Sequence, residues 1–258
     1  MNSACAISLL AALLPAAASA APPATVVKLA SDDWCPYVCT TDRHIAGGIL
    51  VDLTEQILAA SGYRPESVLL PLNRAMAMAE SGELDGIYAP AADQRLSPSE
   101  PLLFSRACFY TRADSTWQYT GVDSLRTLRL GAIKDYGYDG GRFDDYLAAA
   151  GKRAAGGLEL NVGVNASATN IKKMLRGRYP VAIEHEAVMN HLMHIQMAVP
   201  HEPIRQAGSL DRELPLVIGI GKNNPAAPDL MRAVNEGLKS VKASGALQRL
   251  KRRYGFED

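Results

Sequence analysis

The sequence lacks a net charge, and beyond residue 20 it lacks any long apolar run. Acidic and basic side chains number 27 each, which argues against a nucleic acid or an anionic membrane as a partner recognised by bulk charge. No stretch approaches the roughly 20 apolar residues that a membrane-spanning helix needs. With 48% hydrophobic and 21% charged residues, the composition is typical of a globular chain. Its 258 residues suffice for two domains of ordinary size or for one large domain.

Motifs of familiar enzymes are also missing. There is no nucleophile elbow, no Ser-His-Asp order and no cofactor fingerprint, and the glycine-rich segment 135–141 lacks the Gly-Lys-Ser/Thr of a phosphate-binding loop. His185 and His191 are six positions apart, so their rings do not share a helix face as those of zinc proteases do. His191 and His194 have a spacing that suits a surface metal pair, but equally an ordinary polar helix face. We therefore expect neither a cofactor nor a metal.

Residues 1–20 have the pattern of a cleavable export signal. Ile7 to Leu14 form a short apolar core, Pro15 ends it, and Ala18 to Ala20 provide a small-residue cleavage site. The core is too short to cross a bilayer. Met1 to Ala4 contain no Lys or Arg, which departs from the usual pattern. We expect an exported, periplasmic protein.

Cysteine is scarce, with four residues in the whole chain. Cleavage of the signal would remove Cys5 and leave Cys35, Cys39 and Cys108. In an oxidising compartment Cys35 and Cys39 are candidates for a small-loop disulfide. Cys108, in an apolar strand, would then be a buried free thiol. A metal site is less favoured, because no second Cys or His pair lies nearby to complete four ligands.

Strand and helix patterns alternate in the order β-α-β-α-β and then repeat that order, as a structural repeat. This order predicts an α/β fold with two lobes, each a mixed, mainly parallel sheet flanked by helices. The first unit is predicted from 26–30, 49–60, 68–70, 71–80 and 84–88, and the second from 128–133, 143–150, 158–162, 167–176 and 181–184. A strand at 214–221 and two further helices are predicted to complete the chain.

A strand, an Ala/Pro loop and a second apolar run in the first half of the chain set the predicted domain organisation. The loop can hold neither helix nor ladder, and the second run is predicted to carry the chain into another lobe. We predict a discontinuous lobe 1, residues 24–112 plus 214–258, and a lobe 2, residues 114–212. The hinge crossings are predicted near 110–115 and 210–216, with a ligand cleft between the lobes.

Two arginines are candidates for contacts with an anionic ligand. Arg95 lies in the loop just past a predicted strand, where its planar guanidinium can grip a carboxylate or a phosphate. The alternative is an ion pair with Glu100 or Asp93 on a solvated loop. Arg74 lies at the start of a predicted helix, where the dipole disfavours a cation. That misfit suggests a second anion contact, although a solvated helix face explains it as well.

Aromatic residues are candidates for the walls of the cleft. Trp34 and Tyr37 would stack on a ligand or shield it from water, or else pack against the disulfide, and we expect one of them to be a direct contact. Tyr88, at a strand end, would cap the ligand or pack in the core. Tyr136 and Tyr138 lie in a glycine-rich turn before a helix, whose backbone N–H groups can seat an anion.

A series of motifs follows one another in an order found in one family. They are Trp34 to Tyr37, Gly48 to Leu53, Gly82 to Gly86, Arg95 followed by Phe104-Ser105, Gly131 to Tyr138, Gly177-Arg178 and the C-terminal Gly245 to Gly255. In this order and spacing the chain resembles the periplasmic solute-binding proteins of family 3, the polar-amino-acid type of ABC transporter. The resemblance covers essentially the whole mature chain. It implies two lobes joined by crossing strands that close over a ligand by hinge motion.

The resemblance also implies a function. It is that of a monomeric, non-enzymatic protein that captures a small polar, carboxylate-bearing molecule for a membrane transporter. Two departures from the family stand out. The run before Arg95 has no hydroxyl except that of Tyr88, and His185, flanked by Glu184 and Glu186, replaces the Asp that takes an ammonium group. On this alignment Glu184 and His185 join the predicted ligand-binding residues.

Two alternatives remain at this stage. Relatives of the implied fold include cyclohexadienyl-type dehydratases, and in such an enzyme Glu184, His185 and Glu186 would be acid and base candidates, provided that a closed cleft perturbs a pKa. A periplasmic ligand sensor would differ from the transport protein only in its membrane partner.

Overall fold

Two five-stranded sheets organise the chain, whose residues 24–152, 157–196 and 204–256 are described in this computed structural model. The predicted export signal, residues 1–20, lies outside the described residues. The described strands are β1 (Thr25–Ser31), β2 (Cys39–Thr41), β3 (His44–Gly47), β4 (Tyr63–Leu69), β5 (Gly86–Tyr88), β6 (Leu96–Pro98), β7 (Leu103–Ser105), β8 (Ala107–Arg112), β9 (Leu130–Ile133), β10 (Leu158–Asn161), β11 (Val181–His185), β12 (Ile204–Ser209), β13 (Leu214–Leu216) and β14 (Ile218–Gly221). The described α-helices are α1 (Ile49–Leu58), α2 (Leu72–Ser81), α3 (Arg142–Lys152), α4 (Ala166–Leu175), α5 (Glu186–His191), α6 (Ala227–Ala243) and α7 (Ala246–Arg253).

Each sheet combines a β-α-β core with strands from other parts of the chain. The first sheet, which defines lobe 1, has the order β4-β1-β5-β14-β6, and the second, which defines lobe 2, has the order β10-β9-β11-β8-β12. The strands of the β-α-β units pair in parallel, and β14, β6, β8 and β12 join antiparallel. The predicted two-lobed α/β fold is confirmed, with sheets that are mixed rather than mainly parallel.

The chain crosses between the lobes on two short strands that pair with each other. β7 and β13 form an antiparallel ribbon, in which Leu214 faces Ser105. The strand β8 already belongs to lobe 2, because it is buried and pairs antiparallel with β11. The first crossing is therefore at Arg106, earlier than the predicted 110–115. Residues 210–213 connect β12 with β13 on the return, and the predicted bounds of the two lobes stay predictions.

Lobe 1 is closed on one side by the pair α1 and α6. Their buried stripes repeat at helical spacing and face each other, and they comprise Ile49, Leu53 and Ile57 on α1 with Leu230, Val234 and Leu238 on α6. At Gly237 a Cβ atom would lie 2.1 Å from the carbonyl oxygen of Ile57. Only glycine allows the two helices to approach this closely.

A buried polar network fixes α4 on the sheet of lobe 2. The Asn170 side chain is fully buried. Its Nδ2 donates to the Ile183 carbonyl at 3.0 Å, and its Oδ1 accepts from Asn161 at 3.0 Å and from the Tyr179 hydroxyl at 2.6 Å. The Asn170 amide is thus satisfied within the lobe, which is compatible with its complete burial, whereas Asn161 Oδ1 has no partner among the described residues.

The cysteine prediction is confirmed for the residues that the structure describes. Cys35 and Cys39 form a disulfide, and Cys108 is a buried free thiol. Within the same residues, no helix combines the length and the apolarity that crossing a bilayer requires.

Candidate functional site

Five side chains from both lobes converge where the two sheets meet, and we call Asp32, Trp34, Tyr136, Ser167 and Glu184 the cleft cluster. Asp32 and Trp34 follow the C-terminal end of β1 in lobe 1. The other three belong to lobe 2, where Tyr136 follows β9, Ser167 lies in the first turn of α4 and Glu184 is on β11. The carboxyl ends of parallel strands meet at one edge of each sheet, which is where α/β proteins place their ligands.

Asp32 links the two lobes directly. Its side chain is buried, and its Oδ2 accepts a hydrogen bond from the Tyr136 hydroxyl at 2.7 Å. A second bridge lies beside it, because the backbone N–H of Asp33 donates to the carbonyl of Val164 at 2.9 Å. Burial raises the pKa of Asp32 to about 7, and the charges of Glu184 and Asp33 raise it further while the Tyr136 hydrogen bond opposes the rise.

Glu184 is the second buried carboxyl of the cluster, with 0% of its surface exposed. Its Oε1 accepts from the backbone N–H of His185 at 2.9 Å. Burial raises its pKa to about 7, while this bond and the nearby groups of Ser167 and Trp34 oppose the rise. In the described part of the chain, Glu184 Oε2, Ser167 Oγ and Trp34 Nε1 nevertheless complete no hydrogen bond. Buried polar atoms of this kind are costly unless a further partner satisfies them.

Aromatic rings surround these polar atoms. The ring of Trp34 packs against Tyr37 at 4.4 Å between centroids, and it meets the edges of His185 at 5.0 Å and Tyr136 at 6.0 Å. Trp34 is 5% exposed. The indole is therefore part of the wall between the lobes, and its N–H is available to a ligand.

His185 is held as a neutral ring by a hydrogen-bond chain that crosses the hinge. The Tyr37 hydroxyl donates to Ser105 Oγ at 2.8 Å, Ser105 Oγ lies 2.8 Å from His185 Nδ1, and His185 Nε2 lies 3.0 Å from the Gly137 carbonyl oxygen. A carbonyl only accepts, so Nε2 carries the proton and Nδ1 accepts. Burial lowers the pKa of His185 to about 4. Both ring nitrogens are thus occupied, and His185 positions Trp34 and β11.

His185 is the last residue of β11, and α5 starts at Glu186. Glu184 and His185 therefore both lie at the end of the strand, beside the cleft.

Little space remains between the closed lobes. A cavity of about 20 Å³ is bordered by Asp32, Trp34, Tyr88 and Tyr136 among others. A second cavity of about 10 Å³ is bordered by Asp32 and Lys134 among others. Each holds at most about one water molecule, so a solute enters only when the lobes part.

Larger cavities exist elsewhere in the described chain. One of about 650 Å³ lies on lobe 2, where Tyr119, Arg142 and Arg212 are among its lining residues. Its arginines are exposed, and the buried carboxyls of the cleft cluster are not part of it. Size alone favours this cavity as the ligand site. The buried polar atoms without partners among the described residues favour the cleft instead.

The remaining predicted aromatic residues lie around the cleft with their hydroxyls already engaged. Tyr88 borders the small cavity and shares a hydrogen bond of 2.9 Å with Ser67 Oγ. The Tyr138 hydroxyl accepts from the backbone N–H of Ile133 at 2.8 Å, and its ring stacks on His185. These two rings, like Tyr37, support the wall from behind.

The structure does not bring the two predicted arginines into the cleft cluster. The guanidinium of Arg95 forms two bonds of 2.8 Å to the Asp93 carboxylate and a third of 3.3 Å to Glu80. These acids raise the pKa of Arg95. Arg74 is exposed in the first turn of α2. A role for either arginine in ligand binding stays a prediction.

Sequence reasoning missed three residues of this region. Asp32 had a usable signal, since two acids directly follow a buried strand. Ser167 had only the signal of a residue at the start of a predicted helix, and the N-cap of α4 is Asn165, where no side chain forms a capping bond. Ser105 had no signal, because its role depends on reaching His185 across the hinge.

Comparisons with known proteins agree with this architecture. The family model described as bacterial extracellular solute-binding proteins, family 3, matches residues 27–257. No curated protein matches the chain. Among solved structures, the chain is similar to the arginine-, lysine-, histidine-binding protein ArtJ from Geobacillus stearothermophilus, at 18% identity and a TM-score of 0.70 over 91% of this chain and 96% of that one.

Two further structures are similar in fold. One is a histidine kinase sensor domain with similarity to periplasmic binding proteins, at 17% identity and a TM-score of 0.73 over 90% of this chain and 95% of that one. The other is an ancestral amino acid-binding protein, a precursor of cyclohexadienyl dehydratase, at 15% identity and a TM-score of 0.69 over 90% and 96%. At these identities the likeness shows the fold alone.

Proposed function

The chain belongs to family 3 of the bacterial extracellular solute-binding proteins, as its motif order predicted, and on this premise we propose that it is an exported binding protein for a small polar solute. The solute is an amino acid or a related carboxylate-bearing molecule. It binds between the lobes at the cleft cluster, and hinge motion on the β7–β13 ribbon closes the lobes over it.

The observation that carries this proposal is the set of unpartnered polar atoms between the lobes. Glu184 Oε2, Ser167 Oγ and Trp34 Nε1 are buried together without a hydrogen-bond partner among the described residues. Buried polar atoms without partners forgo the hydrogen bonds that they can make. A polar solute that supplies both donors and acceptors would satisfy all three atoms at once.

The carboxylate of the solute has candidate partners at the rim. Lys134 borders the cavity beside Asp32. In the same wall, Leu72 and Asn73 begin α2, and the exposed Arg74 follows them directly. A solute with a carboxylate at this end and a polar group near Glu184 would extend across the cleft from lobe 1 to lobe 2.

The partner is proposed to be a membrane transporter component that receives the solute, and the protein is proposed to act as a monomer in the periplasm. This assignment extends what is usual in the family. A sensor role is the alternative, and the likeness to a histidine kinase sensor domain gives it support. The two roles share the same binding step and differ only in what recognises the closed form.

A dehydratase is the second candidate function, and one observation favours it. Glu184 has a pKa of about 7 and an oxygen without a partner in the described chain, which are the properties of a general acid in a closed cleft. The likeness to a precursor of cyclohexadienyl dehydratase points the same way. Recovery of the solute intact after prolonged incubation would favour binding, whereas turnover would favour the enzyme.

Calorimetry with purified protein tests the proposal. The compounds tested are a panel of the common L-amino acids and small dicarboxylates. We expect one of them to bind to the protein in a one-to-one ratio. Glu184→Gln should weaken that binding about tenfold or more, which corresponds to roughly 1.4 kcal/mol. The matched control is Glu159→Gln, since Glu159 lies on the edge strand β10 and is already paired with Lys173 and Arg178. Equal affinities in both variants would remove the cleft cluster from the binding site.

A further inference from the structure

The cleft cluster holds two acids that approach each other from opposite lobes. Asp32 is 4% exposed and Glu184 is 0% exposed. The charge of Glu184 raises the pKa of Asp32, so the two carboxyls interact across the cleft. Closing the empty lobes therefore brings two like charges together in a place that water does not reach.

Lys134, which borders the cavity beside Asp32, is exposed, and no positive charge is among the main effects on the two buried carboxyls. Burial is the largest effect on both carboxyls, and hydrogen bonds and negative charges supply the others. A closed cleft with two ionised carboxylates and no cation would be strongly disfavoured. A closed cleft with protonated carboxyls would not be, because a neutral carboxyl can use its own O–H as a donor.

We propose that Asp32 and Glu184 form a two-carboxyl site for a cationic group of the solute, and that protons occupy this site when the solute is absent. The identity of the solute in this inference rests on the proposed function, whereas the expected behaviour of the protein without solute does not. It assigns the chemical class of the bound group, a protonated amine or a guanidinium. It also makes both closure and binding depend on protons.

The surroundings of the pair leave few other sources of pH dependence near neutrality. The charged or titratable groups that face it are Asp33 after β1, Tyr37 in the following loop, Tyr88 on β5, Cys108 and Tyr110 on β8, Lys134, Asp135, Tyr136 and Tyr138 after β9, His185 on β11, and Glu186 and His191 on α5. Burial keeps the tyrosines, the thiol and His185 neutral at pH 7. The pKa of His191 is also lowered.

The proton balance of the binding step follows from this arrangement. The empty closed cleft holds up to two carboxyl protons. When a cationic group enters, each carboxyl that pairs with it becomes a carboxylate and its proton passes to the solvent. Binding near pH 6 should therefore release about one proton or more. Above pH 8 both carboxyls are already ionised in the open protein, and the release should approach zero.

The first experiment uses the protein without solute. Trp34 and Trp117 are the two tryptophans of the sequence, so Trp117→Phe leaves the cleft indole as the sole tryptophan, whose emission can be excited selectively over that of the tyrosines. Between pH 5.5 and 8.5 we expect its emission to shift to the red and the radius of gyration from X-ray scattering to increase, with a midpoint near pH 7. Glu184→Gln combined with Asp32→Asn in this background should abolish the transition, whereas Glu159→Gln should retain it. Identical emission and radius at both pH values, with unchanged circular dichroism, would overturn the inference.

The second experiment measures the protons released on binding. Calorimetry of L-arginine, and of succinate as a probe without a cationic group, is run at pH 6 in buffers of different ionisation enthalpy. We expect L-arginine to release about one proton or more per site, and Glu184→Gln to lower that number by at least half. Binding of L-arginine with no proton release, or succinate binding more tightly than L-arginine, would refute the site.

The two proposals fail in different ways. If neither probe nor any amino acid binds but the pH-dependent opening persists, the proposed function is wrong and the protonated two-carboxyl site is supported. If an amino acid binds without proton release and the empty protein shows no transition, the proposed function is supported and the protonated two-carboxyl site is wrong.

Discussion

The hydrogen bond between Tyr136 and Asp32 allows a quantitative test of how the lobes are held together. Tyr136→Phe removes only the hydroxyl, which donates to Asp32 Oδ2 at 2.7 Å across the cleft. A bond of this kind contributes about 1–3 kcal/mol when both partners are removed from water. The equilibrium between closed and open empty protein should therefore shift toward the open form by about 5- to 150-fold.

A matched variant separates closure from stability. The Tyr138 hydroxyl accepts from the backbone N–H of Ile133 within lobe 2, so Tyr138→Phe loses a hydrogen bond without touching the cleft. It should lower the free energy of unfolding by about 1–2 kcal/mol and leave the distance between the lobes unchanged. Tyr136→Phe should do the reverse, increasing that distance with little effect on unfolding.

The assay is single-molecule energy transfer between a dye on each lobe, supported by small-angle scattering at pH 6. Tyr136→Phe should convert a mainly closed population into a mixture with a substantial open fraction. An inter-lobe distance distribution identical to that of the wild type would show that the Tyr136–Asp32 contact does not hold the cleft shut. A change of equal size in Tyr138→Phe would show that the effect is not specific to the cleft.

The other expected outcomes concern stability and the unused arginine. Asn170→Ala removes the side-chain hydrogen bonds to Ile183, Asn161 and Tyr179 from the lobe 2 network and should lower the unfolding free energy by about 2–4 kcal/mol in guanidinium denaturation; a loss below about 1 kcal/mol would contradict the network's role. Cys35→Ser with Cys39→Ser opens a short loop and should cost about 2 kcal/mol in the same assay, whereas an equal midpoint for the oxidised protein and the variant would contradict this. Arg95→Ala should cost less than about 1 kcal/mol because its ion pairs are partly exposed, and solute affinity by calorimetry should change less than about twofold; a tenfold loss would restore Arg95 to the site. The pKa of Glu184 in the folded protein, about 7, lies above its usual 4.5, so its contribution to the unfolding free energy is complete below pH 4.5 and is lost as the pH rises to 7. Relative to Glu184→Gln, the unfolding free energy of the wild type should therefore fall by up to about 3 kcal/mol over that range. Equal pH dependence of stability in the two proteins would contradict the raised pKa of Glu184.

The organisation of the lobes was predictable because it depends on patterns along the chain. Helical stripes such as that of α6, and short apolar runs bounded by glycine and proline, indicated the β-α-β units. The position of the first crossing was not predictable in the same way. Residues 102–111 are mostly apolar, and pairing with β11 is what separates β8 from β7.

The site was predicted in outline but not in its chemistry. Trp34 and Tyr136 were chosen as aromatic residues of loops and Glu184 from the alignment with the family, and the structure places all three in the cleft cluster. Arg95 was chosen for its place just past a strand, but Asp93 two residues away pairs with it. The sequence could not separate these cases, since the charge state of Asp32 and Glu184 depends on burial between lobes that are distant in the chain.

The most direct test of the central claim is a crystal structure of the protein grown with L-arginine, or with whichever panel member calorimetry identifies. The account predicts one solute molecule between the lobes, with its cationic group in contact with both Asp32 and Glu184 and with Trp34 against its side. Solute density outside the cleft, for example in the lobe 2 cavity beside Arg142, together with an unchanged cleft cluster, would contradict it.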